Sequence, residues 1–299
     1  MSDFPKPMLS ADLAKVDNDF RQLRYPLLAS PKLDGIRCTV WGGVAYSRNG
    51  EPLRNQYFQQ WVKQHAQALE AVDGEVVVGS PTDPLCLNNT QSGIMAFAGR
   101  PPFVMFGFDV VAPELSFMER LELLARKTYK IPEFFEEVEH QRLISPEQVL
   151  KFESEALAQG YEGIMTRDPD ALYKHGRSTL KEQGLVKVKR FIDGEAVVVR
   201  VEEGSHNVNE ATSDALGRTK RSRVSAGLQA NGMVGTILAH SAEWGELRIA
   251  PGKMSHADRL RYWQKPELLV GKTVHWRCFG YGVKDKPRFP RFYGIRSGE

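Results

Sequence analysis

Near residue 190 the sequence changes its periodicity, and that change limits the folds open to it. Up to that point strand and helix signals alternate. Ser10 is placed to cap a short helix over 11–20. Residues 27–29 and 36–41 read as strands, and Gly42-Gly43 offers a two-residue turn into 44–47. Residues 57–70 read as a helix ending near Asp73-Gly74, 76–78 as a strand, 103–111 as an apolar strand and 119–127 as a helix. Ser145-Pro146-Glu147-Gln148 is a helix start: Ser145 caps, Pro146 takes the first position, Gln148 returns the capping bond and Ile144 staples against Val149. Gly160 should stop that helix and place Glu162 at the start of the next strand. Beyond Arg190 strand signals follow one another at 195–201, 234–239, 246–249 and 273–279, with one short helix over 256–263. The expectation is a mixed α+β domain over 1–190 and an all-β domain over 191–299. A chain of 299 residues is long enough for both. Between Gly204 and Asn231 runs a polar stretch without a firm strand signal. Loops beyond about 12–15 residues are usually functional or disordered.

Composition removes several classes. At 41% apolar and 26% charged the chain reads as soluble and globular. No apolar run approaches the roughly 20 residues of a membrane span, and residues 1–7 carry no signal-peptide pattern. Cys38, Cys86 and Cys278 lie far apart, so a zinc site is not expected and a reducing cytoplasm is. The net charge of +3 is too small to argue for nucleic acid. Its distribution says more: residues 191–299 hold 17 Lys/Arg against 12 Asp/Glu, while residues 1–190 are slightly acidic.

The chemistry centres on Lys32-Leu33-Asp34-Gly35-Ile36-Arg37, a K-x-D-G-x-R run. A lysine that attacks phosphorus must first lose its proton, against a reference pKa of about 10.4. Neighbouring cations would lower that value by repelling the ammonium form, and Arg37, Lys187 and Lys189 are the candidates. A solvated surface turn would contain the same hexapeptide, so its company matters. Ser47-Arg48-Asn49-Gly50 follows one hairpin later, then Asp73-Gly74-Glu75, Phe108-Asp109, Glu162-Gly163-Ile164-Met165 and Val186-Lys187-Val188-Lys189.

In this order and at these separations the set resembles the ATP-dependent DNA ligases and their relatives, the capping guanylyltransferases and RNA ligases. The small chlorovirus type is the nearest in pattern. It shares the run Lys174-His175-Gly176-Arg177-Ser178-Thr179-Leu180-Lys181-Glu182 and the ending Pro287-Arg288-Phe289-Pro290-Arg291-Phe292. The resemblance implies an ATP-grasp-like nucleotidyltransferase (adenylation) domain followed by an OB-fold barrel. It implies ATP and Mg2+ or Mn2+ as cofactors, nicked duplex DNA as partner and a monomer in the cytoplasm (a host's, if viral). Lys32 would take AMP from ATP, with Lys187 and Lys189 steadying phosphate charge and Asp34 acting on the nick in later steps. Glu162 is assigned to the metal and Glu75 mainly to the ribose, although both carboxylates fit a metal and the residues alone do not separate them. Phe108 would stack on adenine, or pack in the core, or do both with its two faces.

Arg37, Arg48 and Arg177 are candidates for the 5′-phosphate, since a guanidinium fork can hold two oxygens at once. Arg218, Lys220, Arg221 and Arg223 lie where the small viral ligases carry a DNA-closing β-hairpin latch; a latch that orders on DNA and a solvated loop remain the two readings. Arg296 matches the arginine that orients pyrophosphate, but Gly298 and Glu299 stand where the family has Asp and Lys. Arg288 or Lys286 would then share that task. The large helical domain of cellular ligases is not expected ahead of Lys32. A capping enzyme, an RNA ligase and a non-catalytic nucleic-acid clamp stand as alternatives.

Overall fold

The computed structural model describes residues 4–16, 18–131, 133–214, 216–278 and 287–296. The chain separates into two compact units, Met1–Lys189 with Asp214–Arg218, and Arg190–Ser213 with Thr219–Glu299.

The first unit is built on two five-stranded, mainly antiparallel sheets. One runs in the order Ala11–Asp12, Val186–Val188, Ile164–Arg167, Leu27–Pro31, Gln141–Leu143. The other runs Val44–Tyr46, Ile36–Trp41, Val72–Val78, Phe103–Val110, Phe135–Glu137. Residues 32–35 carry the chain from the strand Leu27–Pro31 of one sheet to the strand Ile36–Trp41 of the other. The lysine run therefore sits at the junction of two sheets. Separate cores back them. Phe58, Trp61, Val76 and Phe103 pack in one; Leu13, Leu27, Val149 and Ile164 pack in the other.

Local sequence explains most of the helices. Ser116 and Glu119 form a complete capping box at the start of Phe117–Thr128. Ser145 caps Pro146–Ala158 by accepting from the Gln148 N–H. That helix ends in a Schellman pair: Gly160 N–H donates to Leu157 O and Tyr161 N–H to Ala156 O. Gln148 returns its side-chain bond to the Ile144 N–H rather than to Ser145, and Ile144 is exposed, so the staple to Val149 does not form.

Other expectations yield to tertiary contacts. Residues 11–20 are not one helix. Ala11–Asp12 is a strand paired in parallel with Val186–Lys187, followed by single 3-10 turns at Leu13–Val16 and Phe20–Gln22. Burying Leu13 and adding a strand outweigh a short helix of modest propensity. The helix expected over 57–70 begins with Asn55 as its cap and breaks at His65 into Gln56–Gln64 and Ala66–Leu69.

The second unit is one five-stranded antiparallel sheet, ordered Gly245–Ile249, Leu228–Ser241, Ile192–Asn207, Thr273–Cys278, Arg291–Ile295. Among the described residues its edges meet through one parallel bridge, between Ala250 and Arg291, and the sheet curls without closing into a full barrel. Trp276, Val274, Ile249 and Leu247 fill its core. Ser255 caps the α-helix His256–Gln264. Residue 279, the last of an expected strand, lies outside the described residues.

The polar stretch after Gly204 is structured. The strands Ile192–Asn207 and Leu228–Ser241 run on together as a two-stranded ribbon, with Ser205 opposite Ala230 and Asn207 opposite Leu228. A further hairpin pairs Ala211–Ser213 with Thr219–Arg221. Asn207 and Asn209 side chains bond the Ser222 and Val224 carbonyls across its base. Polar side chains bonding the backbone do here what apolar periodicity does elsewhere, which is why no strand signal is visible in the sequence. Among the described residues no helix is long and apolar enough to cross a membrane.

Candidate active site

Two motif glycines make the site possible. Gly163 has φ of +152°, and a Cβ there would lie 2.3 Å from Val188 O. Only glycine lets the chain lie this close to the strand Val186–Val188. In that position Gly163 O accepts the Lys32 N–H at 2.9 Å. Gly35 is equally confined, since a Cβ there would lie 2.3 Å from Val76 O. The lysine loop is thus clamped between the segment carrying Glu162 and the strand carrying Glu75.

The side chains converge accordingly. Glu162 forms ion pairs with Lys32 through Oε2 and with Lys189 through Oε1. All three are largely withdrawn from water, with side chains 23%, 15% and 11% exposed for Lys32, Glu162 and Lys189. Burial raises the Glu162 carboxyl, but the two lysines outweigh it and hold its pKa below the usual carboxylate value. Burial pulls the Lys32 ammonium down; Glu162, then Glu75 and Asp34, more than reverse this, and its pKa lies above the ordinary lysine value. The expected lowering of Lys32 by neighbouring cations is therefore corrected. Carboxylates, not cations, dominate its surroundings, and it is held protonated.

The expected cations have other partners. Lys187 pairs with Asp12 at 2.9 Å. Arg37 makes a two-pronged pair with the fully buried Asp73 and also donates to Met8 O. Lys189 alone shares the Lys32 carboxylate, and burial, with Lys32 adding repulsion, takes its own pKa below the usual value despite Glu162. Glu75 stands opposite Arg37 in the strand pairing. Burial pushes it up to about 7, against the pull of Lys32 and Arg37.

Phe108 lies in a β-bulge: Gly74 pairs with Gly107 and Asp73 with Asp109, leaving Phe108 unpaired. The bulge breaks strict alternation. Arg167 meets both neighbours, bonding Asp109 at 2.5 Å and lying 5.6 Å from the Phe108 ring centre. Asp109 also takes Arg120, in a fully buried cluster. The Arg37 guanidinium lies 4.7 Å from the half-buried Phe108 ring.

The remaining candidates are surface groups. Arg48 is exposed on the turn between Ser47 and Gly50. Arg177 is exposed and donates to Ser10 O at 2.7 Å. Arg218, Lys220, Arg221 and Arg223 are exposed on and beside the hairpin, with Arg218 paired to Asp214. Arg296 belongs to the second unit and donates to Glu195 at 3.0 Å. Lys286, Gly298 and Glu299 lie outside the described residues. Asp73, Tyr173 and Gly163's clamp on Lys32 were not singled out from the sequence.

Residues 7–189 match the family model of the ATP dependent DNA ligase domain, well over half of the chain. The chain belongs to the ATP-dependent DNA ligase family. It is 27% identical over 321 aligned positions to a probable DNA ligase of Anaeromyxobacter dehalogenans, which covers 97% of this chain but 58% of that relative. The chain thus spans little more than half the length of that curated ligase. Among solved structures it is similar to Chlorella virus DNA ligase-adenylate, at 28% identity and a TM-score of 0.55, with 99% of both chains covered. A Lig E DNA ligase shares the fold with a TM-score of 0.72 at 23% identity. These ligase structures match both units together, the adenylation domain and the OB-fold domain that follows it.

Proposed function

We propose that this chain seals nicks in duplex DNA in three phosphoryl transfers. Lys32 takes AMP from ATP, the AMP passes to the 5′-phosphate of the nick, and the 3′-hydroxyl displaces it. The observation that carries this reading is the position of Lys32: clamped by Gly163 at the junction of two sheets, with Glu162, Lys189, Glu75 and Asp34 around its amine. Positioning and charge do most of the work in such transfers.

Glu162, with Glu75 also acting on the Lys32 amine, fits a divalent cation. Mg2+ takes one or two carboxylates and leaves its other positions to water and phosphate, so a larger acidic cluster is not required. Bound there as Mg2+ or Mn2+, it would supply positive charge against the α-phosphate. Glu162 is the partner that holds the Lys32 proton, and the amine attacks only once that pairing is given up. Lys189 and Lys187 are placed to steady phosphate charge, and Phe108 to offer a ring face to adenine. Arg37, Arg48 and Arg177 read the 5′-phosphate, Asp34 acts on the nick, and Arg296 serves the pyrophosphate. Arg218, Lys220, Arg221 and Arg223 meet DNA phosphates from the hairpin. The protein acts as a monomer in the cytoplasm.

The test is sealing of a 5′-labelled nick with Mg2+ and ATP, run beside GTP and beside a nick in RNA. Sealing of DNA with ATP alone is expected. A covalent GMP adduct without sealing, or no reaction with any substrate, contradicts the reading.

A further inference from the structure

We propose that Tyr173 is a positioning residue for recognition of the 5′-phosphate at the nick: its hydroxyl fixes Asp73, and through Asp73 and the Met8 backbone it fixes Arg37. This rests on the reading of Arg37 given above. Tyr173 is 3% exposed and lies 100 positions from Asp73 in sequence. Its hydroxyl donates to Asp73 Oδ2 at 2.7 Å and accepts the Met8 N–H at 3.0 Å. Asp73 in turn accepts from Arg37 Nε and Nη2 and from Thr39 Oγ1. Arg37 Nη2 also reaches Met8 O at 3.2 Å. Two hydrogen bonds therefore tie the Met8 peptide into the network, one at its N–H and one at its C=O.

The arrangement leaves a defined part of Arg37 for a ligand. Nε and Nη2 are used, while Nη1 has no partner among the described residues. A guanidinium offers five N–H groups in a rigid fork, so fixing one edge aims the other. Without the Tyr173 hydroxyl, Asp73 loses one of its anchors and the Met8 N–H is left buried without its acceptor. Such losses are costly inside a protein. The same segment serves a second arginine, since Met8–Leu9 pairs with Gly176–Arg177 and Ser10 O accepts from Arg177. Tyr173 keeps its proton throughout: burial, and then the Asp73 charge, raise its pKa well above the ordinary phenol value.

The variant is Tyr173→Phe in the full chain, which removes one oxygen and keeps the ring. Three readouts are taken: formation of the lysyl-AMP adduct from ATP, transfer of AMP from preformed adduct to a 5′-phosphorylated nick, and binding of 5′-phosphate against 5′-hydroxyl nicks. The variant is expected to form adduct at close to the wild-type rate. It should transfer AMP about tenfold more slowly and lose about tenfold of its preference for 5′-phosphate, the effect of one hydrogen bond to a charged network. In an Arg37→Ala background the same change should add nothing. Equal slowing of adduct formation and transfer would make Tyr173 a packing residue and overturn the proposal. An undiminished effect of Tyr173→Phe on top of Arg37→Ala would overturn it as well, as would wild-type transfer by Tyr173→Phe while Arg37→Ala is defective. If Arg37→Ala itself keeps full 5′-phosphate preference, the reading of Arg37 fails and the proposal falls with it.

Discussion

Lys32 carries a proton that its proposed chemistry requires it to lose. The residues nearest it hold that proton in place, chiefly Glu162. The hexapeptide pointed to Lys32 as the proposed nucleophile because the motif is written in contiguous residues. The sequence could not reveal which charges surround the amine, because Glu162, which lies two residues ahead of the strand Ile164–Arg167 rather than at its start, and Lys189, just past the strand Val186–Val188, are more than a hundred residues away. Of the cations expected near Lys32, Lys187 pairs with Asp12 and Arg37 with Asp73. Gly163 is the residue on which the geometry depends most. Gly163→Ala puts a Cβ against Val188 O and displaces both Glu162 and the Lys32 anchor. A displacement of about 1 Å in a site of this kind costs about 100-fold in rate. Gly163→Ala is therefore expected to slow adduct formation by that order, read by single-turnover gel assay with ATP. A wild-type rate would separate the Gly163 clamp from catalysis.

At the scale of elements, caps and strand cores were legible in the sequence and long-range pairings were not. Ser145, Pro146 and Gly160 bound their helix through local bonds, so three-residue patterns sufficed. The strand Ala11–Asp12 depends on a partner at Val186, and nothing in residues 11–20 signals it. The hairpin Ala211–Arg221 is the same case. Neither a latch that orders on DNA nor a solvated loop, the two readings its sequence allows, expects strand pairing without DNA, yet Ala211–Ser213 pairs with Thr219–Arg221. Deleting residues 209–225 should spare adduct formation and weaken binding of nicked DNA. It should also flatten the fall in affinity with salt, because each lost phosphate contact removes counterion release. Binding measured at several salt concentrations checks this, and identical slopes for the two proteins would contradict it.

Acid sensitivity also belongs to an element. His140 packs edge-on against Phe117, beside the buried Asp109 cluster. Burial, and then Arg167, lower its pKa to about 4, against opposing pulls from the Val138 backbone and Asp109. The unfolded chain binds this proton near pH 6.5 and the folded chain does not. Stability from this group is therefore full above about 6.5 and is lost as the pH falls toward and through 4. Glu75, pushed up to about 7, works in the opposite direction over the same range, so the His140 contribution is read by difference: on going from pH 7.5 to pH 5 the urea midpoint of His140→Phe should change more favourably than that of the wild type. An equal change in the two proteins would place the acid sensitivity elsewhere.

For the whole molecule, the change in periodicity suggests a division near residue 190; the chain separates into Met1–Lys189 with Asp214–Arg218, and Arg190–Ser213 with Thr219–Glu299, so a piece of the hairpin goes with the first unit. The groups around Lys32 all lie in the first unit, whereas Arg296, matched to the pyrophosphate arginine, lies in the second and is held by Glu195. In the proposed reading the second unit's curled sheet and the basic hairpin serve DNA rather than the covalent step. The central claim is that Lys32 forms a covalent bond to AMP that nicked DNA then removes. Intact mass spectrometry of the full chain after ATP and Mg2+ tests it directly, with Lys32→Ala beside it. The account predicts a gain of one AMP on the wild type, lost when 5′-phosphorylated nicked DNA is added, and no gain on Lys32→Ala. An adduct on the variant, or a wild-type chain that never gains AMP, would contradict it.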